Sequence, residues 1–178
     1  SDHTACYYDP RGLDVPALLR DGAANGILAG FSNELSFDPR DVLTQKCDVL
    51  VPAAMERVID SDFAGRLQCR VLAEGANGPT TQEADVVLNE RRGEIFVIPD
   101  ILCNSGGVVV SYFEWVQDLQ QLFWEEEEVT RREYHILDRA FDQMVGRAKK
   151  DNIPHRTAAM ALGVEKVRAA KTTRGLFP

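Results

Sequence analysis

The sequence predicts an α/β fold, a parallel-sheet core followed by a helical tail. Short apolar runs at 48–51, 70–74 and 94–99 are too brief for helices and are rich in valine and isoleucine, as strands covered on both faces are. A helical pattern lies between the second and third runs, and strand–helix–strand at this spacing is a βαβ unit with parallel strands. After Pro99 the strand pattern stops and helical periodicity takes over.

Each element has its own signal. Tyr7-Tyr8-Asp9-Pro10-Arg11-Gly12 reads as a short strand ending in a turn. Asp14-Val15-Pro16 sets an N-cap acid before an early proline, and Gly22 to Gly26 ends the helix that follows. Asp38-Pro39-Arg40-Asp41 starts a second helix, kept brief by the apolar run from Cys47 to Val51. Gly78 to Glu83 opens the helix of the βαβ unit. Thr80 and Glu83 have capping-box spacing, and Ala84, Val87 and Leu88 form its apolar stripe. Three long helices are predicted beyond the sheet, from Ser105 to near Leu122, from near Trp124 to Lys150, and from His155 to Lys171.

Composition bounds the function. A chain of 178 residues fits one domain and can bury a core without disulfides or metals. With a net charge of −8, nucleic acid and anionic membranes are poor partners, and neither is expected. Unbroken apolar runs such as Val49–Met55 fall far short of the roughly 20 residues that span a bilayer. No basic segment with an apolar stretch opens the chain, so no secretory signal is expected and the predicted location is cytoplasmic. Cys6, Cys47, Cys69 and Cys103 are far apart and form no C-x-x-C pair. They read as free thiols of a reducing compartment, with no metal site.

In an open parallel sheet, ligands bind beyond the carboxyl ends of the strands. Those ends carry Pro52-Ala53-Ala54, then Glu74-Gly75-Ala76-Asn77-Gly78, then the stretch from Asp100 through Cys103-Asn104-Ser105-Gly106-Gly107. Their small residues let a ligand approach the backbone. The amides of Asn77 and Asn104 can both donate and accept hydrogen bonds, as a ribose or a carboxamide requires. Gly106-Gly107 at a helix start favours an anion. Val108 and Ser111, one turn apart, offer one apolar and one polar wall. No G-x-G-x-x-G or Walker A pattern occurs among the 13 glycines.

Four stretches resemble the cofactor domain of glutamate dehydrogenases: Glu74-Gly75-Ala76-Asn77-Gly78-Pro79-Thr80-Thr81, Pro99-Asp100-Ile101-Leu102, Asn104-Ser105-Gly106-Gly107-Val108 and Ser111-Tyr112-Phe113-Glu114-Trp115. The run from Cys47 to Ala54 and the late Arg156-Thr157-Ala158-Ala159 fit the same order. Leucine, phenylalanine and valine dehydrogenases share the fold, but the Pro-Thr-Thr and Ser-Tyr-Phe-Glu-Trp stretches look like the glutamate branch. The resemblance implies a Rossmann-like parallel sheet lacking its first strands, with residues 1–102 as a partial cofactor-binding domain. Residues 103–178 would be C-terminal helices packing on it and toward a substrate domain outside this sequence.

The implied reaction is oxidative deamination of L-glutamate to 2-oxoglutarate and ammonia, with hydride transfer to NAD or NADP. By position, Ala53, Ala54, Gly75, Ala76, Asn77 and Asn104 resemble cofactor contacts, and Val108 and Ser111 resemble substrate contacts. Asp2 matches an acid that binds the adenosine ribose, which favours NAD. The family's glycine-rich loop and its domain with the catalytic lysine and aspartate have no counterpart here. No catalytic residue is therefore assigned, and the chain alone is expected to be inactive. The resemblance implies a bacterial or archaeal parent enzyme that is a homo-hexamer. A second reading is a non-catalytic binding or interaction module derived from such an enzyme.

Other notable residues read as structural. Tyr112, Phe113 and Trp115 are expected in the core, and no histidine is expected to be catalytic. Glu125 to Glu128 are expected to form a solvated helix start, with Glu127/Arg131 and Glu128/Arg132 pairs.

Overall fold

The computed structural model describes residues 1–32 and 36–175. In chain order the elements are β1 (Cys6–Tyr7), α1 (Val15–Asn25), β2 (Ser36–Phe37), a 3-10 helix (Pro39–Thr44), β3 (Cys47–Leu50), α2 (Ser61–Arg66), β4 (Cys69–Ala73), α3 (Gln82–Glu90) and β5 (Phe96–Ile98). The helical part follows as α4 (Asp100–Cys103), α5 (Gly106–Gln120), α6 (Glu126–Asp151) and α7 (His155–Arg174). The fold is α/β and Rossmann-like: β3, β4 and β5 are parallel and lie in that order, with Val49 beside Val71 and Val71 beside Phe96.

Local chemistry sets several boundaries. The Asp14 carboxylate accepts from the Ala17 N–H at 3.0 Å, and Gly26 leaves α1 at φ 75°, a left-handed exit that glycine makes without strain. Asp38 caps the brief 3-10 helix in the same way, accepting from the Arg40 N–H. Asp60 caps α2 through the Phe63 N–H at 2.9 Å. That helix was not predicted, because six residues are too few to display helical periodicity.

Several local details differ from what the sequence alone predicts. Thr81, not Thr80, caps α3, accepting from the Ala84 N–H. Asp100 to Cys103 form a helical turn, α4, between β5 and α5. Glu94 and Ile95 lie in the turn after α3, both bonding to the Arg91 carbonyl, so β5 starts at Phe96. The apolar run in β3 is covered on one face only. Leu50 and Leu72 are buried, but the alternate Val49 is 54% exposed, because α2 and α3 cover a single face of this part of the sheet.

Two hydrophobic clusters form most of the core among the described residues. Leu50, Ile59, Phe63, Leu67, Leu72 and Leu88 fill the space between the sheet and the α2–α3 pair. Met144, Ala148 and Ala158 join α6 to α7. The two parts meet at β5, where the Phe96 ring stacks 4.2 Å from that of His155 and 6.0 Å from that of Phe141. His155 Nδ1 also lies 2.9 Å from the Val97 carbonyl oxygen, which fastens the start of α7 to β5.

The aromatic expectation holds for Phe113, which is buried against Trp124, and fails for Tyr112 and Trp115, which are 58% and 57% exposed. At the start of α6, Glu128 pairs with Arg132 as expected, while Arg131 leans to Glu128 at 3.9 Å rather than to Glu127. All four cysteines are free thiols, although Cys47 and Cys69 are register partners on adjacent strands. Among the described residues no helix is long and apolar enough to cross a membrane.

Candidate functional site

The carboxyl ends of β3, β4 and β5 converge, and most of the residues singled out in the sequence meet there. Gly75 follows β4 and packs on the segment after β3. A Cβ at Gly75 would lie 3.1 Å from the Ala53 Cβ, a tight approach that a side chain could enter only if its neighbours give by a few tenths of an ångström. The Ala76 N–H donates to the Pro52 carbonyl at 2.8 Å, which ties the two loops together. Ala54 follows Ala53 and is exposed.

Asn104 reaches this group from the end of α4. Its amide nitrogen donates to the Asn77 side-chain oxygen at 2.7 Å and to the Gly75 carbonyl at 3.3 Å. These two bonds set the orientation of both amides. Among the described residues, the Asn77 NH2 group and the Asn104 Oδ1 make no hydrogen bond. One free donor and one free acceptor thus stand together at the mouth of the sheet, which suits a ligand bearing both functions.

Val108 and Ser111 lie on the first turns of α5, and both are exposed. Gly106 faces α6, where an added Cβ would first meet the carboxylate end of the flexible Glu133 side chain. The expected free helix start at Gly106-Gly107 is modified. Ser105 is itself helical, at φ −75° and ψ −7°, so α5 continues from α4 within one turn.

Asp2 belongs to a separate group. Its Oδ1 accepts from the Thr4 N–H, the Thr4 hydroxyl and the Ala5 N–H, and its Oδ2 accepts from the Leu28 N–H at 2.9 Å. The Thr4 hydroxyl bond is the main cause holding this carboxyl far below the usual aspartate range; partial burial opposes it and the backbone donors add to it. One lone pair of Oδ2 stays free for a further donor.

Beneath the asparagines lies the carboxylate of Glu74, whose role no local sequence pattern indicates. Glu74 is fully buried. Its Oε1 accepts from the Thr80 hydroxyl and from Arg156 Nη2, both at 2.6 Å, and its Oε2 accepts from the Asp100 N–H at 2.9 Å. Arg156 also donates to Asp85 at 3.0 Å and to Asp100 at 3.1 Å. Burial alone would lower the Arg156 pKa, but hydrogen bonds and charge from Glu74 and then Asp85 outweigh it and hold the value above the ordinary arginine range. A local signal existed. Arg156 is the second residue of α7, where a cation opposes the helix dipole and needs a partner to be stable.

Cys103 is no activated nucleophile. Burial raises its thiol pKa, and the charges of Glu74 and Asp100 raise it further. Among the described residues no cluster of histidine, cysteine and acidic side chains has the geometry of a metal site. An apolar groove of about 690 Å³ runs along α7 past Met160, Val164 and Val167 and includes Ile101. Its exposed surface is mainly apolar, although Arg168, Lys171 and Thr172 also line it, and none of the asparagines at the strand ends faces it.

The sequence pattern of the Glutamate/Leucine/Phenylalanine/Valine dehydrogenase family matches residues 1–175. A glutamate dehydrogenase of Thermotoga maritima is 42% identical over 178 residues, which cover 100% of this chain and 42% of that protein. The cryptic catabolic NAD-specific glutamate dehydrogenase GudB of Bacillus subtilis is 38% identical over 175 residues, covering 98% of this chain and 40% of its own length. The crystal structure of a hetero-hexameric glutamate dehydrogenase from Thermus thermophilus superposes with a TM-score of 0.86 at 35% identity, over 98% of this chain and 41% of that one. The chain thus spans about two-fifths of the length of the relatives it matches.

Proposed function

Because the chain belongs to the glutamate/leucine/phenylalanine/valine dehydrogenase family, we propose that it is the C-terminal cofactor-binding part of a glutamate dehydrogenase. The whole enzyme would oxidatively deaminate L-glutamate to 2-oxoglutarate and ammonia. The cofactor is a nicotinamide dinucleotide, whose ring supplies the hydride chemistry. NAD is the preferred form, with NADP as the alternative. Asp2 and the NAD-specific relative support this choice.

The observation that carries the reading is the Asn77–Asn104 pair, with its free donor and free acceptor at the strand ends. In this reading the two amides bind the ribose and nicotinamide side of the cofactor. Ala53, Ala54, Gly75 and Ala76 form a floor on which the dinucleotide lies close to the backbone. Asp2 takes the adenosine ribose through its remaining lone pair. Val108 and Ser111 face the glutamate side chain from α5. Residues 1–102 form the partial cofactor domain, and residues 103–178 form the helical segment that meets the substrate domain. No general base is assigned to this chain, which would therefore be inactive by itself. The whole enzyme would be a homo-hexamer of the cytoplasm, where the free thiols stay reduced.

The test is glutamate oxidation by the full-length protein, followed as reduced cofactor. Turnover with L-glutamate and NAD supports the reading. Cofactor binding without turnover would favour a non-catalytic module, and turnover only with leucine, phenylalanine or valine would move the protein to another branch of the family.

A further inference from the structure

The geometry points to Glu74 as a positioning residue that sets both cofactor-facing asparagines, with Arg156 as the counter-charge that keeps it in place. This inference rests on the cofactor reading of the strand ends.

The bonds of this one carboxylate reach both loops. Glu74 directly precedes Gly75-Ala76-Asn77. Its Oε1 holds Thr80 at 2.6 Å, which closes the far end of the loop that bears Asn77. Its Oε2 holds the Asp100 N–H at 2.9 Å, which fixes the start of α4, the helix that ends at Asn104. The Asp100 carboxylate returns the contact by accepting from the Gly78 N–H at 2.8 Å, next to Asn77. The two loops therefore share one anchor, and the 2.7 Å contact between the amides is set by it.

Such an anchor is expensive to build, which argues that its geometry is used. Glu74 has no solvent exposure, and a buried carboxylate requires donors on both oxygens together with an opposite charge. Arg156 supplies that charge from α7, and its guanidinium is itself fixed by Asp85 and Asp100. Purely structural needs would be met by an apolar side chain of similar volume. The outer side of the loop has independent support. The Arg57 and Ile59 N–H groups donate to the Gly78 and Pro79 carbonyls, and the Thr81 N–H donates to Ile59. Loss of the Glu74 bonds should therefore shift the asparagines without unfolding the loop.

Glu74→Gln tests this with nearly unchanged shape. A glutamine has one acceptor oxygen and one NH2 group. In either orientation the NH2 faces a donor, Asp100 N–H on one side or Thr80 and Arg156 on the other. The expected result in the full-length enzyme is a cofactor KM raised on the order of tenfold to a hundredfold, as for displacements near 1 Å. The KM for glutamate should rise less than that for the cofactor, because the body of α5 is also held by Phe113 and Gln117 against Trp124.

A double variant, Glu74→Gln with Arg156→Met, separates positioning from folding. Removing both charges should restore the melting temperature relative to Arg156→Met alone, while the cofactor KM stays raised. Recovery of the cofactor KM together with stability would overturn the inference, as would an unchanged cofactor KM in Glu74→Gln. Asn77→Ala and Asn104→Ala serve as controls. If they raise the cofactor KM and Glu74→Gln does not, the positioning role falls and the site stands. If none of them raises it, the cofactor reading falls and the positioning role with it.

Discussion

Arg156 and Glu74 are 82 residues apart in sequence and 2.6 Å apart in space. Their contact fastens the start of α7 to the end of β4 and so joins the helical tail to the sheet. Arg156→Met would leave Glu74 buried without its counter-charge. The expected loss is about 3–5 kcal/mol of stability, read as a lower denaturation midpoint with an unchanged m-value. An effect below about 1 kcal/mol, the range of exposed ion pairs, would contradict the buried character of this one.

Gly75→Ala places a methyl group 3.1 Å from the Ala53 Cβ and 3.4 Å from the Val51 side chain. The neighbours must give way, at a cost of about 1–3 kcal/mol. Because the strained spot is also the proposed cofactor floor, cofactor affinity should fall along with the melting temperature. A variant with wild-type melting and wild-type cofactor affinity would show that the approach of the two loops is not tight.

Leu72 is fully buried at the centre of the sheet core. Leu72→Ala should cost about 2–5 kcal/mol. The solvent-facing Val49→Ala should cost much less, because its side chain is 54% exposed. Equal losses measured by chemical denaturation would mean that both faces of β3 are covered in solution.

Asp2 makes a prediction about pH. Its carboxyl is held below the ordinary aspartate value, mainly by the Thr4 hydroxyl. The depressed group binds fewer protons in the folded state, so its stabilising contribution is complete above the unfolded value of about 3.9 and declines as pH falls toward the folded value. Asp2→Asn should therefore destabilise the protein at neutral pH, and the gap to wild type should narrow below about pH 4. A gap that does not depend on pH would assign the effect to hydrogen-bond geometry alone.

Local patterns revealed most of the strands and the long helices, because hydrophobic period and caps act within a few residues. Asp14 and Gly26 mark α1 without any tertiary partner. Thr80 and Thr81 illustrate the limit. Either can cap α3 by its chemistry, and the choice is made by Glu74, which takes the Thr80 hydroxyl. In the same way, Tyr112 and Trp115 satisfy the helical stripe that marks a core, yet no described element covers that face of α5. Ala53, Gly75, Asn77 and Asn104 were legible as a site because small residues and amides cluster at predicted strand ends. The Glu74–Arg156 anchor was not, since nothing within either segment names the other.

The most direct test of the proposed cofactor site is titration of the full-length protein with NADH, wild type against the double variant Asn77→Ala/Asn104→Ala. The variant is expected to bind at least about tenfold more weakly, a loss of about 1.4 kcal/mol or more in binding free energy, and to keep its fold by circular dichroism. Equal dissociation constants in two folded proteins would contradict the assignment of the cofactor site to the ends of β4 and β5.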